Sequence, residues 1–153
     1  MPTTPGTRPS RWDARVFVAA PRERVYAYLA DPVNRPEWQA SLRSVEVLDP
    51  GAPHVGQRWI DNVAVGPSFE LQIIAMEEGS LWAEVGSTGP FTAFGTLLFD
   101  DATEDGVEGT RVTCVARVRA RGVLLPLGWP ATGLAAVLVR NDLKRAAKVL
   151  ASR

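Results

Sequence analysis

The stretch RVTCVARVR, at residues 111–119, decides the fold class of this chain of 153 residues. Its apolar positions alternate with polar ones, which is the pattern of a β-strand with one buried and one solvated face. The apolar set is Val112, Cys114, Ala116 and Val118. Because one-sided strands are typical of antiparallel sheets, this pattern predicts such a sheet, with its apolar face covered by another element.

Five more strand patterns precede this stretch, at residues 45–48, 57–65, 69–75, 81–85 and 91–99. Short turns such as Glu78-Gly79 and Asp105-Gly106 separate them and predict an antiparallel meander. In the 81–85 strand the apolar set is Leu81, Ala83 and Val85, so we expect Trp82 on the outer surface. The 57–65 strand leaves two alternatives open for its inner set: Trp59, Asp61 and Val63, or Arg58, Ile60 and Asn62.

Helical patterns lie at both ends of the chain. After a first strand at residues 12–18, Ala20-Pro21 opens a short helix, two prolines at 32 and 36 interrupt it, and a second short helix carries Trp38. A long helix at residues 132–151 has an apolar stripe along one side. A sheet with one polar face buries its other face against a single helix only by curving around it, and that geometry leaves a cavity.

The formal net charge of zero is the sum of unequal parts. Residues 1–60 carry a net +2, residues 61–109 a net −10, and residues 110–153 a net +8. The neutral total argues against nucleic-acid binding driven by net charge. The basic C-terminal part supports one hypothesis of an interaction protein, in which this segment docks on an acidic partner or an anionic membrane.

Residues 122–139 form an uncharged stretch of nearly the length of a membrane span. Its prolines and glycines would break a helix in lipid, so we expect a lid-like turn before the last helix and no transmembrane segment. Lone Cys114 cannot form an intrachain disulfide, and residues 1–10 resemble a flexible tail rather than a secretory signal. We therefore expect one domain at residues 11–153 in a cytoplasmic protein.

Several short patterns, taken in order, resemble a known family. They are Ala20-Pro21 with residues 25–32, then Asn34, Pro36 and Trp38, then Val55-Gly56, Gly89-Pro90-Phe91 and residues 109–113. In this order and spacing they resemble polyketide cyclase/dehydrase-like proteins of the SRPBCC helix-grip superfamily, which includes START-type lipid-transfer domains and birch-pollen-allergen-like proteins. The resemblance covers about residues 12–150.

The resemblance implies an α+β helix-grip fold. In this fold a curved seven-stranded antiparallel sheet wraps around a long C-terminal helix, with two short helices between strands 1 and 2 and a cavity for a hydrophobic ligand. The resemblance implies function less closely, because one fold hosts many functions. Members cyclise polyketides, carry lipids or bind hormones, and they provide no catalytic set to transfer. We expect no cofactor, and a monomer or a homodimer.

The residue types argue against several chemistries. Cys114 alternates with valine and alanine along a strand, so we interpret it as a small buried hydrophobic residue. The only histidine, His54, lies in a loop, so we interpret it as a surface side chain. The two are therefore not expected to act as a nucleophile and its base. One Cys and one His fall short of the three or four ligands of a zinc site. The acidic residues 100–108 lack the ligand spacing of an EF-hand calcium loop. We therefore expect no metal site.

The candidate cavity residues are aromatic, apolar or amide side chains near the expected inner face and mouth. They are Tyr26, Trp38, Trp59, Asn62, Leu71, Phe91, Trp129 and Asn141. Proton transfer in such a cavity would need an acid or a base in a dry site. The candidates for that role are Tyr26, Tyr28, Arg58, Asp61, Asn62 and Asn141.

Two functions compete for this cavity. The first is binding of a small hydrophobic ligand, such as a lipid, a polyketide-like or an isoprenoid molecule, and it requires a pocket of more than about 300 Å³. The alternative is a polyketide aromatase/cyclase that uses general acid/base groups in the cavity wall, and it requires titratable side chains there.

Overall fold

The computed structural model describes residues 13–153, apart from the side chains of Trp129, Ala131 and Thr132. The predicted tail at residues 1–10 and Trp12 lie outside these residues. The elements in chain order are β1 (Ala14–Val18), α1 (Arg22–Leu29), α2 (Arg35–Trp38), β2 (Leu42–Val47), β3 (Arg58–Val63), β4 (Phe69–Glu77), β5 (Leu81–Thr88), β6 (Phe91–Glu104), β7 (Val107–Ala120) and α3 (Gly128–Ala151). Short 3₁₀ segments, Pro32–Asn34 and Gly122–Leu127, precede α2 and α3.

The seven strands form one curved antiparallel sheet in the order β1-β7-β6-β5-β4-β3-β2. The strands β2 to β7 are therefore a meander, as the alternating pattern predicts, and β1 is added beside the last strand. The β1–β7 pairing runs from Ala14 opposite Cys114 to Val18 opposite Thr110. The buried Thr110 hydroxyl donates a hydrogen bond to the Ala20 carbonyl at 2.8 Å, which joins this edge of the sheet to the start of α1.

Tight turns set the strand pairing of the meander. Asp105 and Gly106 both have positive φ, 51° and 78°, and they connect the long strands β6 and β7. Two central residues with positive φ match the twist of the flanking strands, which is why Asp-Gly is favoured at such a position. Gly89-Pro90 makes a similar two-residue connection between β5 and β6, with Thr88 opposite Phe91.

The helix α3 lies against the inner face of the sheet and begins at Gly128, four residues before the start that the sequence pattern predicts. Pro130 lies in its first turn, where the missing N–H breaks no intrahelical hydrogen bond. In its second half, Leu143, Ala146 and Leu150 are buried against the core. Its first half is less buried, since Leu134 and Val137 are exposed. Among residues 13–153 no helix is both long and apolar enough to cross a bilayer.

The substitution Leu143→Ala tests how far the fold depends on this helix. Leu143 is 1% exposed, so its truncation leaves a cavity, and we expect the free energy of unfolding to fall by about 3 kcal/mol. The matched control is Leu134→Ala on the same helix, where the side chain is 63% exposed and the change should stay within about 0.5 kcal/mol. Urea unfolding followed by circular dichroism measures both. Equal losses in the two variants would contradict this account of α3.

Candidate functional site

A cavity of about 240 Å³ lies between the sheet and α3. Strands β4 to β7 form one wall, and residues 135–143 of α3 form the other. Most of the lining is apolar, with Leu71, Leu97, Ala116 and Val139 among its side chains. The volume is below the pocket of more than about 300 Å³ that the binding hypothesis requires, because side chains of both layers fill much of the space that a curved sheet leaves.

A buried ionic cluster forms one end of this cavity. The Arg35 guanidinium, from α2, donates from Nη2 to Asp61 Oδ2 at 2.9 Å and from Nη1 to Glu84 Oε2 at 2.9 Å. The side chains of Arg35 and Asp61 are 5% and 7% exposed. Since Asp61 lies on β3 and Glu84 on β5, with β4 between them, one guanidinium fixes α2 across three strands.

Two tryptophans support the cluster from within the core. The Trp59 indole N–H donates to Asp61 Oδ1 at 3.0 Å, and the Arg35 guanidinium carbon lies 5.3 Å from the centre of the Trp59 ring. The rings of Trp59 and Trp82 lie 6.0 Å apart. Hydrogen bonds and a cation–π contact thus compensate part of the cost of burying these charges.

Two glycines make room for the large side chains on the inner face. A Cβ atom at Gly95, opposite Glu84 in the β5–β6 pairing, would lie 3.2 Å from Glu84 Oε1. A Cβ atom at Gly86, opposite Leu71, would lie 2.8 Å from Leu71 Cγ. Both positions therefore need glycine for close approach rather than for an unusual backbone angle.

Three buried N–H donors in this region have no hydrogen-bond partner among the described residues. They are Nε of Arg35 and the indole nitrogens of Trp38 and Trp82. All three residues line the cavity. The three nitrogens themselves are fully buried, and a buried donor without a partner costs free energy. A group that can accept hydrogen bonds would therefore be favoured if a small movement of the surrounding side chains brought it into contact with them.

Burial raises the pKa of Glu84, and the nearby Arg35 guanidinium opposes that shift. At the mouth of the cavity, burial also raises the pKa of Asp142, whose Oδ1 accepts a hydrogen bond from the Ala40 N–H at 3.1 Å. The Cys114 thiol lies in the cavity wall, where burial raises its pKa to about 12. It therefore stays protonated near neutral pH and is a poor nucleophile.

Of the eight residues that the sequence suggests as cavity lining, Trp38 and Leu71 lie in the wall. Trp59 is completely buried behind Arg35. The inner set of β3 is therefore Trp59 and Asp61, which resolves the two alternatives for that strand. Asn62 points to the other face, where it contacts Ser44 and Ser68.

The remaining suggested residues lie away from this cavity. Tyr26 lines a separate groove of about 520 Å³ beside His54 and Met76, between α1 and the loops before β3 and β5. Phe91 is half-buried at the start of β6, and Asn141 is exposed on α3. The side chain of Trp129 is outside the described residues.

The other proton-transfer candidates also lie elsewhere. The Tyr28 hydroxyl donates to Glu37 Oε2 at 2.9 Å, beside Arg153. Arg58 is half-exposed and pairs with Asp49. Within the described part of the chain, no three His, Cys, Asp or Glu side chains gather in a way that could hold a metal ion.

The sequence pattern is wrong about Trp82, which is 2% exposed and points into the core rather than to the outer surface. For the same reason the pattern puts Glu84, two residues further along β5, on the outer face, although it lines the cavity. The physical reason is that the β5–β6 pairing places Trp82 opposite Leu97 and Glu84 opposite Gly95, and directly opposed residues share a face.

The sequence matches the model of a protein family described as polyketide cyclase / dehydrase and lipid transport over residues 10–153. Among solved structures, it is similar to a Deinococcus radiodurans protein, with 27% identity and a TM-score of 0.61 over 89% of this chain and 92% of that one. No match is found among curated proteins.

Two further solved structures share the fold at lower identity. Ara h 8.0201 is 14% identical, with a TM-score of 0.68 over 92% of this chain and 97% of that one. The di-domain ARO/CYC BexL from the BE-7585A biosynthetic pathway is 19% identical, with a TM-score of 0.68 over 89% of this chain and 44% of that one. These likenesses confirm the helix-grip architecture.

The substitution Arg35→Met tests whether the cluster holds the site together. It leaves two buried carboxylates without their cation, so we expect a loss of about 3–5 kcal/mol in the free energy of unfolding at neutral pH. The guanidinium that lowers the pKa of Glu84 is then absent, and that pKa rises further above the ordinary value of 4.5. The native state of the variant then binds the proton more tightly than the unfolded state, so the loss should shrink as the pH falls toward 4.5.

The matched control is Arg58→Met, which removes a half-exposed arginine from its pair with Asp49. We expect little change in stability there, because exposed ion pairs contribute little. Chemical unfolding at a series of pH values measures both variants. A loss in Arg35→Met that is small, or that grows as the pH falls, would contradict the proposed cluster energetics.

Proposed function

This chain belongs to the polyketide cyclase / dehydrase and lipid transport family, and from that premise we propose that it binds a small, mainly apolar molecule with a hydrogen-bond acceptor at one end. The observation that carries the proposal is the cavity itself. It has an apolar wall between the sheet and α3 and one polar end, at Arg35 and Glu84, with unpaired buried donors.

The cavity volume limits the size of this ligand. About 240 Å³ is below the range of roughly 300–1,000 Å³ that is usual for drug-sized ligands. The cavity therefore does not meet the volume required for the lipid, polyketide-like or isoprenoid ligand of the sequence-based hypothesis, and the proposal is for a smaller molecule. A short apolar chain or one or two fused rings fits such a space, whereas a larger lipid, polyketide or isoprenoid needs a wall to move. The first half of α3 is the wall best suited to move, since Leu134 and Val137 there are exposed instead of packed into the core.

The polar end supports a ligand with a carbonyl, ether or similar acceptor oxygen. Nε of Arg35 and the indole nitrogens of Trp38 and Trp82 can donate but cannot accept. A purely aliphatic ligand leaves these donors unpaired, whereas an acceptor oxygen compensates them once the side chains that cover the donors shift to admit it. A free carboxylate is less favoured there, because two carboxylates already share one guanidinium.

The substitution Ala116→Phe tests the location of the ligand. Ala116 faces the cavity from β7, so the added ring fills space that the ligand would occupy. With 6-acetyl-2-(dimethylamino)naphthalene, a fluorescent probe that has two fused rings and a carbonyl acceptor, we expect saturable 1:1 binding to the unsubstituted protein and at least a tenfold weaker affinity in the variant. Native mass spectrometry of the purified protein, followed by solvent extraction, would identify any ligand that copurifies.

The matched control is Thr113→Phe on the other face of β7, which adds a similar ring outside the cavity. Its probe affinity should equal that of the unsubstituted protein. The proposal fails if the unsubstituted protein shows no saturable binding, or if Ala116→Phe binds the probe as tightly as Thr113→Phe.

A second candidate function is cyclisation of a polyketide-type substrate by acid/base catalysis. The observation that favours it is Glu84, a carboxyl group in a mainly apolar cavity wall with a pKa raised by burial. General acids and bases work best when their pKa lies closer to the working pH than that of an exposed carboxyl. BexL, which shares the fold, is itself named as a di-domain ARO/CYC.

The substitution Glu84→Gln tests this candidate with a poly-β-keto thioester as substrate. If Glu84 acts as the base, the rate of cyclisation rises with pH through a pKa above 4.5, and the variant loses both that pH dependence and about 100-fold or more in rate. Glu70→Gln on the outer face of β4 is the control and should keep the full rate. Cyclisation no faster than in protein-free buffer, or equal rates in Glu84→Gln and Glu70→Gln, would exclude catalysis by Glu84.

A further inference from the structure

We propose that the edge of the sheet where β3, β5 and β7 end is a docking surface for a lipid bilayer that contains anionic lipids. This inference concerns the outer surface of the molecule and does not depend on what the cavity holds. It is argued from the exposure of apolar side chains, from the charge around them and from the charge at the opposite edge.

Apolar side chains project from this edge at two separate places. In the 3₁₀ segment after β7, Val123 is 94% exposed and Leu125 is 67% exposed. In the turn after β3, Val65 is 93% exposed. Since β3 and β7 run in the same direction in the antiparallel sheet, their ends lie at the same edge. Four strand spacings of about 4.8 Å separate the two places.

The exposed face of α3 continues this apolar surface. Leu134 and Val137 are each more than half exposed, and α3 begins directly after the 3₁₀ segment. A folded protein exposes single apolar residues routinely, but several large ones at one end of the molecule indicate an interaction site. The two exposed apolar sites, at Val65 and at Val123 with Leu125, are well separated. This arrangement fits a flat, extended partner such as a membrane better than a narrow protein groove.

The charge around this surface is positive. Arg119, Arg121 and Arg140 are exposed beside it, and no Asp or Glu occurs from residue 110 to residue 141. Arginines that flank apolar residues are the pattern of interfacial membrane binding, in which both anionic head groups and acyl chains contribute.

The opposite edge of the sheet is negative, which orients the molecule. The turn between β4 and β5 contains Glu77 and Glu78, and the turn between β6 and β7 contains Glu104, Asp105 and Glu108. An anionic surface therefore attracts one edge and repels the other. A second copy of the chain docked through a two-fold axis would instead place the basic residues of both copies against each other. These charges favour a bilayer over a self-association surface.

The experiment is co-sedimentation of the full-length protein with vesicles of phosphatidylcholine alone or mixed with phosphatidylglycerol. We expect binding to the mixed vesicles that weakens as salt is added. The double substitution Val123→Ser with Leu125→Ser should reduce the partition coefficient about tenfold or more, because it removes the apolar contact. The double substitution Arg121→Gln with Arg140→Gln should reduce it roughly 20- to 30-fold, at about one fivefold step for each charge.

Two matched controls separate this surface from general effects. Val55→Ser with Val107→Ser removes two exposed valines at the opposite edge, and Lys144→Gln with Lys148→Gln removes two exposed charges from the second half of α3. Both should bind the mixed vesicles nearly as the unsubstituted protein does. All substituted positions are exposed, and urea unfolding checks that each variant is folded.

The proposal is overturned if the protein does not bind mixed vesicles, if binding is insensitive to salt, or if control and test variants bind equally. Analytical ultracentrifugation adds a further outcome. A concentration-dependent dimer that Val123→Ser with Leu125→Ser abolishes, without vesicle binding, would assign the surface to a second copy of the chain and reject the bilayer.

Discussion

The Arg35 guanidinium is the constraint on which the cavity depends, because it fixes α2 to the inner faces of β3 and β5 through Asp61 and Glu84. Its burial carries a desolvation cost, and apolar residues of equal volume often stabilise a fold as well or better. Stability alone therefore does not account for the cluster. One cation shared by two carboxylates leaves an excess negative charge, and burial raises the pKa of Glu84, so this end of an apolar cavity is suited to holding a proton.

Alternation along single strands was enough to predict the fold. The period of two at residues 111–119, the tight turns and the long final helix together specify a meander around a helix, and the structure has that form. The same reasoning failed for the strand at residues 81–85, where both faces carry apolar residues. The face on which Glu84 lies could nonetheless be derived from the sequence. The two-residue turn at Gly89-Pro90 places Glu84 opposite Gly95, and therefore on the face that Gly95 and Leu97 share.

The ionic cluster could not be found from local patterns for a different reason. Asp61 and Arg35 have the side chains of surface residues, and only a partner distant in sequence makes their burial tolerable. Arg35 is the first residue of a four-residue helix that also contains Pro36, and the position of this helix over the sheet is set by tertiary packing rather than by propensity. The cavity volume depends in the same way on how side chains from six elements interdigitate, which no single strand or helix pattern determines.

The zero net charge becomes informative once the charges are placed on the fold. Ten acidic residues lie at residues 61–109, and much of the basic excess belongs to β7 and α3. The first half of α3 has two roles in this arrangement, since Ala135 and Val139 line the cavity while Leu134 and Val137 face outward beside exposed arginines. Any force on its outer face therefore acts on the wall of the cavity. Movement of that same half-helix would enlarge the cavity of about 240 Å³, so contact at the apolar edge and the size of the ligand that enters act on one element.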